Sequence, residues 1–490
     1  MAQEQMKYRF RMYEKLQKEI PQIYAELKEA AKELKLKDDE KNAIGLTGAI
    51  SGCPGSLRDD ILEAMHQKAK KVISNAALVD EIRDIVKSYY GDDYDACPVN
   101  TCEAALWVSF DCLATPPFTG RGDNYRARYV APFERHLHHQ GGYGRPFPPK
   151  YKDVLADRGS TAGELGFAGK RQNNLDTVFV PLPGAKYDVH GIRSAQVFMM
   201  KNVDADRSEK VLQEYAARHA DSLTAVSSLG YDSTGYGYGD KKKNGAPKLQ
   251  CALAKIAQKY NVPYIVDNAW GLPFVGTDLR KTGADLMLYS MDKASGAPTS
   301  GLIIGKEDVM VPIRRALGVH GARWGTTSSY GKAAYVTQDP GKEALSGQIA
   351  ALKVLRDNPE VIVNPLEDLY RLVVEEFDKI NPVLRPFFQI EKSYNSSAIE
   401  INYESSWEGT GMGIPVFSIE DMYSGSHILQ NGLAQIGIIP TIAYDANIFI
   451  SAGLGTSDNK GQLIVEKMRK AIRALVLLLE ITCKHVGLIG

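Results

Sequence analysis

Apolar positions recur at helical spacing from about Glu4 to Leu36, in a stretch rich in Lys, Glu, Leu and Ala, and predict a helix there. A turn-rich segment follows, Gly45-Leu-Thr-Gly-Ala-Ile-Ser-Gly-Cys-Pro-Gly55. Its glycines suit a plain connection better than a loop folded over a site. From about Asp80 short apolar runs alternate with amphipathic ones. Helices are expected over Ala104–Leu113, Arg207–Arg218 and Pro247–Tyr260. Strands are expected at Thr177–Pro181, Val197–Met200, Leu223–Leu229, Val262–Asp267, Leu286–Ser290 and Leu302–Gly305. Such alternation implies an α/β fold, a mostly parallel sheet sandwiched by helices. Asp339–Asp357 and Leu366–Asn381 read as helices, and Ser397–Asn402 and Ile438–Ile442 as strands. A final helix is expected over Gln462–Val486, with Thr456 or Ser457 as its cap. The pattern divides the chain into an N-terminal helical segment and loop (1–85), a large domain (86–335), and a linking helix with a smaller C-terminal α/β domain (336–490). There is no internal repeat and no low-complexity tract.

At 490 residues, 44% hydrophobic and 24% charged, the chain has an ordinary globular profile, long enough for one large and one smaller core. Lys plus Arg and Asp plus Glu both number 59, so the basic excess of a nucleic-acid binder is absent. Lys241, Lys242 and Lys243 lie together between Gly239 and Gly245, a pattern that fits a solvated loop tip. None of the six cysteines has CxxC spacing, and reduced thiols in a cytoplasm are the simplest account. Met1 to Lys7 lack the apolar core of a signal peptide, and Ala474–Leu479 is too short to cross a bilayer. A cytoplasmic protein without membrane or nucleic-acid partners is expected.

The chemistry concentrates in two stretches, Tyr264-Ile-Val-Asp-Asn-Ala-Trp-Gly271 and Leu286-Met-Leu-Tyr-Ser-Met-Asp-Lys-Ala-Ser-Gly-Ala-Pro-Thr-Ser-Gly-Leu-Ile-Ile-Gly305. One buried strand ends in Asp267. The next ends at Ser290, with Lys293 three residues on. In an open parallel sheet the carboxyl ends of strands line the ligand crevice, which places Asp267 and Lys293 where a ligand would bind. A lysine amine can form an imine with the aldehyde of pyridoxal 5'-phosphate (PLP), and a carboxylate can keep its pyridine nitrogen protonated. Freed by exchange with an amino acid, the lysine can move a proton. Alone, such an Asp is usually a turn or helix cap and such a Lys solvated surface; the strand order and glycine punctuation around both reverse that balance.

These stretches resemble the fold-type I PLP enzymes, most closely the cysteine desulfurase, class V aminotransferase and selenocysteine synthase-like group, over residues 90–330. The resemblance implies the PLP-dependent transferase-like fold and a Schiff base on Lys293, with Asp267 against the cofactor nitrogen. Gly321-Ala-Arg-Trp-Gly-Thr326 is similar to the group's Gly-x-Arg-Ser-Gly-Thr segment, with Trp324 in place of serine. It implies that Thr326 reaches the partner subunit's cofactor phosphate in a homodimer. Asn100-Thr-Cys-Glu-Ala-Ala105 matches the phosphate cup at a helix start, and implies Asn100, Thr101 and Cys102 as contacts, with Ser290 as a further one. Asn100 and Glu103 also have capping-box spacing, so an ordinary cap is an equal reading. The ring stacked on the cofactor is expected from His136, with His138 and His139 close behind. Ser227 or Ser228 would reach the phenolic oxygen, Ser228 being preferred. Arg323 could be an ion-pair partner or a clamp on the substrate carboxylate.

Two departures narrow the chemistry. Relatives often grip the carboxylate with an arginine on a small-domain strand; here Asn447-Ile-Phe-Ile-Ser-Ala-Gly453 puts Phe449 at that place. Between Thr326 and Thr482 there is no cysteine to serve as a desulfurase nucleophile. The expected activity is a lyase or carbon–heteroatom reaction at Cα or Cβ of a small amino acid. An aminotransferase is the alternative, and a non-catalytic PLP-fold binding protein the rival from another class.

Overall fold

In the computed structural model the described residues are 18–47, 54–114, 128–133, 193–198, 205–221, 223–230, 232, 239–317, 335–407, 414, 428–440, 443–444 and 447–490. Seven strands form the main sheet: β1 (Tyr94–Val99), β2 (Arg128–Phe133), β3 (Arg193–Phe198), β4 (Leu223–Leu229), β5 (Tyr264–Asp267), β6 (Leu286–Ser290) and β7 (Gly301–Lys306). Their order is β1-β7-β6-β5-β4-β2-β3, with β7 antiparallel to both neighbours and the other pairings parallel. Every residue of β4, β5 and β6 is buried, as strands covered on both faces must be. The expected strand Thr177–Pro181 lies outside the described residues.

Helices α1 (Asp59–Ala69), α2 (Asn75–Tyr90), α3 (Cys102–Ala114), α4 (Ala205–Arg218), α5 (Lys248–Tyr260) and α6 (Glu307–Ala316) accompany the sheet. Of these, α3 is apolar nearly all round and crosses β1, β4, β5, β6 and β7. Asp95, wholly buried on β1, is held by Arg83 Nε at 2.7 Å and by Arg314. Burial pushes its carboxyl up, but the hydrogen bond from Arg83 and the two guanidinium charges outweigh burial and leave it below the usual 3.8.

Beyond the sheet, α7 (Lys342–Asp357) packs on α1 and α2, and α8 (Glu360–Phe377) leads to a smaller antiparallel sheet. Its strands β8 (Gln389–Ser393), β9 (Ala398–Asn402), β10 (Ala443–Tyr444) and β11 (Asn447–Ile450) run in the order β10-β11-β9-β8. The buried apolar side chains fall into two clusters. One joins Ile61, the helices α2 and α3, the main sheet and Leu345 to Leu352. The other joins Ile23 to Leu46 with α8, the small sheet and the last helix, α9 (Val465–His485). The N-terminal stretch is therefore divided between both.

Helix α9 starts three residues later than its sequence pattern predicts, after Ile464, and has no side-chain cap. Thr456 is engaged elsewhere: its Oγ1 accepts from Gly453 N–H at 3.1 Å and its carbonyl from Ile464 N–H at 2.7 Å. The residues between them fold into a tight loop on Asp458, which delays the helix. No helix among the described residues is long and apolar enough to cross a membrane.

Candidate active site

Register decides which side chains share a face. Asp267 stands beside Leu288, so Asp267, Leu288 and Ser290 point to the same side of the sheet. Ser290 in turn stands opposite Gly301, and Gly301 opposite Val99. A Cβ on Gly301 would come closer than 3.0 Å to the Thr101 carbonyl. The glycine thus lets the start of α3 press onto the sheet on the face that carries Asp267 and Ser290. Asp267 is nearly buried, and its Oδ1 accepts from Ala269 N–H at 3.1 Å.

The helix start itself differs from the capping-box reading. Thr101 is the cap, its Oγ1 accepting from Ala104 N–H at 3.0 Å. Cys102 is the first, buried residue of the helix. Asn100 turns away: its backbone N–H donates to Gln338 O at 2.8 Å and Nδ2 to Thr337 O at 2.9 Å. Its Oδ1 is buried with no partner among the described residues, and Nδ2 keeps a second N–H. Asn100 thus braces the loop at 337–338, with one amide hydrogen left over for a phosphate.

Ser228 departs from its expected place. Its hydroxyl bonds Tyr264 OH at 2.6 Å, on the face away from Asp267. Strand alternation puts Ser227, not Ser228, on the Asp267 face. Ser290 is on the right face, but its hydroxyl already donates to Asp292 Oδ1 at 2.5 Å.

Lys293 lies in the turn after β6, fixed by the hydrogen bonds Gly296 N–H to Lys293 O at 3.0 Å and Ala297 N–H to Met291 O at 2.8 Å. Its amine has no hydrogen-bond acceptor among the described residues and sits 4.7 Å from the centre of the Trp270 ring. Trp270 is stacked in turn on Phe449, with ring centres 5.6 Å apart and planes at 25°. The small-domain position where relatives hold an arginine thus reaches the lysine's neighbourhood, but brings an apolar ring.

Lys293 and Trp270 line an open cleft with a cavity volume of about 150 Å³. Its other walls come from Gly55 to Arg58, from the face of α8 that carries Val361 and Pro365, from Ser396 and Ser397 in the small domain, and from Ser451 to Gly453 and Ser457 to Asn459. The end of the glycine-rich N-terminal segment therefore borders the site, where a plain connection was expected. Arg58 escaped the sequence reading because an Arg just before a helix carries no motif. His136, His138, Arg323 and Thr326 lie outside the described residues, as does His139. No group of three or more His, Cys, Asp or Glu able to hold a metal occurs among the described residues.

No protein-family model matches the chain. Among solved structures it is similar to the crystal structure of a SepCysS–SepCysE N-terminal domain complex, at 11% identity over 90% of this chain and 96% of that one, with a TM-score of 0.51. The chain has the PLP-dependent transferase-like fold. D-glucosaminate-6-phosphate ammonia-lyase matches at 15% identity over 90% and 97% of the two chains, with a TM-score of 0.45. The apo cysteine desulfurase of Thermococcus onnurineus NA1 matches at 14% over 86% and 92%, also at 0.45.

Proposed function

We propose that the chain is a PLP-dependent enzyme of amino-acid metabolism, with lyase or carbon–heteroatom chemistry at Cα or Cβ of a small amino-acid substrate. The observation that carries this reading is the amine of Lys293, without a hydrogen-bond acceptor among the described residues, in a cleft lined also by Trp270, three residues after Asp267. A structural lysine so placed would be matched by a carboxylate; this one is backed by an aromatic face.

The residues present fit the cofactor. The gap left by Gly301 seats the start of α3, where the Thr101 hydroxyl hydrogen and the first helical N–H groups of Cys102 and Glu103 suit a phosphate. Asp267 would hold the pyridine nitrogen and Lys293 the aldehyde carbon. Bound PLP supplies an electron-poor ring that accepts the electron pair released at Cα. Lys293 Nζ moves the proton at Cα, and the turn bonds at Gly296 and Ala297 hold it in place for that transfer. Trp270, braced by Phe449, keeps water from one side of the amine. A stacking ring from His136 or His138, Thr326 reaching the partner subunit's phosphate in a homodimer, and a cytoplasmic location complete the reading.

The test is direct. The purified protein should show the visible absorption of lysine-bound PLP, and borohydride followed by peptide mass mapping should place the label on Lys293. Ammonia and a keto acid released without an acceptor mark a lyase; stoichiometric conversion of the cofactor to its amine form marks an aminotransferase. A colourless protein that takes up no PLP, or a label on another lysine, refutes the proposal.

A further inference from the structure

Arg58 is an unusual side chain for a helix start. It occupies the cap position of α1, with extended backbone, yet makes no side-chain cap hydrogen bond. Its side chain is 91% buried, since only 9% remains exposed. Nε donates to Asp60 Oδ1 at 3.0 Å and Nη2 to Asp60 Oδ2 at 3.2 Å, whereas Nη1 has no partner among the described residues. Asp60 is itself 47% exposed, so it holds the fork from the solvent side. The unpaired nitrogen is left on the open edge of the fork, where an anion can engage it.

The place it is sunk into is the Lys293 cleft, of which Arg58 is a wall. Two glycines border it. A Cβ on Gly296, three residues after Lys293 and at φ +67°, would lie 3.5 Å from Nη1. A Cβ on Gly461 would lie 3.1 Å from Cδ. The root of the side chain is pinned as well: Asp59 N–H donates to Asn459 O at 3.1 Å, and Leu62 N–H to Arg58 O at 3.0 Å. The carboxylates on the same walls are engaged within their own turns. Asp292 accepts from Ser290, and Asp458 from the N–H groups of Lys460 and Gln462 at 2.9 and 2.8 Å. Two cationic side chains, Lys293 and Arg58, thus face one cleft, one of them with an unpaired fork edge.

We infer that Arg58 receives the carboxylate of the amino acid bound beside Lys293, through Nη1 and the outer edge of Nη2, while Asp60 orients the guanidinium from behind. The inference rests on the reading of this cleft as an amino-acid site. It gives the carboxylate a partner that Phe449 cannot supply, and takes that partner from the N-terminal segment instead of the small-domain strand. Planar two-point contact is what a guanidinium offers and a lysine does not.

Two probes test it on the protein as purified. Malonate, titrated by calorimetry, reads carboxylate binding whether or not cofactor is present. Aminooxyacetate and O-methylhydroxylamine differ by a carboxylate, and the ratio of their rates against the visible band reads the clamp at the cofactor. In Arg58→Gln, malonate affinity and the aminooxyacetate preference should both fall roughly 10- to 100-fold, the loss of one charge-assisted contact. Arg58→Lys should recover part of both, with an unchanged melting temperature; it serves as the test should the Gln variant fail to fold. A merely structural Arg58 would lower the melting temperature and leave the reagent ratio and malonate affinity as in the wild type, which overturns the inference. Malonate binding that depends on Arg58 in a protein with no visible band keeps the clamp and removes the PLP reading instead.

Discussion

Asn268 follows Asp267 directly, and it is tied to the small domain by a reciprocal amide pair. Asn268 Nδ2 donates to Asn395 Oδ1 at 3.2 Å, and Asn395 Nδ2 returns a bond to Asn268 Oδ1 at 2.8 Å. Asn395 also donates to Gly230 O at 2.8 Å and accepts from Thr277 N–H at 2.9 Å. Its amide thereby makes all four hydrogen bonds open to it. The two residues are only 2% and 1% exposed, and Cβ atoms on Gly230, Gly271 or Gly276 would come closer than 3.0 Å to this pair. The main-sheet edge that presents Asp267 and the turn between β8 and β9 are joined through one buried, reciprocally hydrogen-bonded contact.

Asn395→Ala removes four hydrogen bonds and leaves the Asn268 amide and the Thr277 N–H without their partner, whereas the Gly230 carbonyl keeps the bond from Thr277 Oγ1 at 3.3 Å. At ~1 kcal/mol net per bond, with orphaned buried groups at the upper end, the loss is about 3–5 kcal/mol. Asn268→Ala removes the reciprocal pair and the weaker contacts of its amide with Met287 Sδ and the Tyr289 hydroxyl, and should cost about 2–3 kcal/mol. Guanidinium unfolding of both single variants and the double variant closes a thermodynamic cycle. The expected coupling is about 1–2 kcal/mol, because the second substitution no longer orphans the first partner. An Asn395→Ala cost under about 1 kcal/mol, or additive effects, would show that water replaces the partner freely and that the pair is not a lock.

Three further predictions follow from single contacts. Gly301→Ala should lower stability by about 1–3 kcal/mol and weaken PLP binding, measured by equilibrium dialysis, because backbone must shift to admit the methyl group. Lys293→Ala should lose the visible band and turnover while keeping its circular dichroism spectrum, since a partly exposed amine contributes little to the core. Asp95 has a folded-state pKa below 3.8, so its stabilising contribution is present above the unfolded value and is lost as pH falls through the folded one. The stability gap between wild type and Asp95→Asn should therefore be constant near neutrality and narrow below about pH 4; a gap unchanged at pH 3 would contradict the ion pairing with Arg83 and Arg314.

The strands ending in Asp267 and Ser290 were legible because burial on both faces leaves a continuous apolar run, and the first polar residue marks the edge of the sheet. Lys293 was legible for the same reason, as the first cation after such a run. Ser228 was not: two adjacent serines alternate faces, and only the register with β5 tells which one joins Asp267. That Thr101 and not Asn100 caps α3 was hidden too, because the bonds that engage Asn100 go to residues 337–338, far along the chain. Arg58 had no signal at all. The glycines that lie against it, Gly296 and Gly461, are far from it in sequence.

That long-range assembly links the lock to the clamp. Leu57 and Ile61, either side of Arg58, pack in the cluster of the main sheet, whereas Ile23 to Leu46 just upstream pack in the cluster of the small domain. Asn459, which fixes the backbone at Asp59, belongs to the loop that leads into α9. Arg58 is thus held where the two cores meet, while Lys293 belongs to the main sheet alone. The spacing between amine and guanidinium is set by how the two cores dock, and the Asn268–Asn395 pair is a buried polar contact across that junction. Asn395→Ala should therefore lower the aminooxyacetate preference as Arg58→Gln does, although Asn395 is not a wall of the cleft. Loss of stability with an intact preference would mean that Arg58 takes its position from the main sheet and not from the junction.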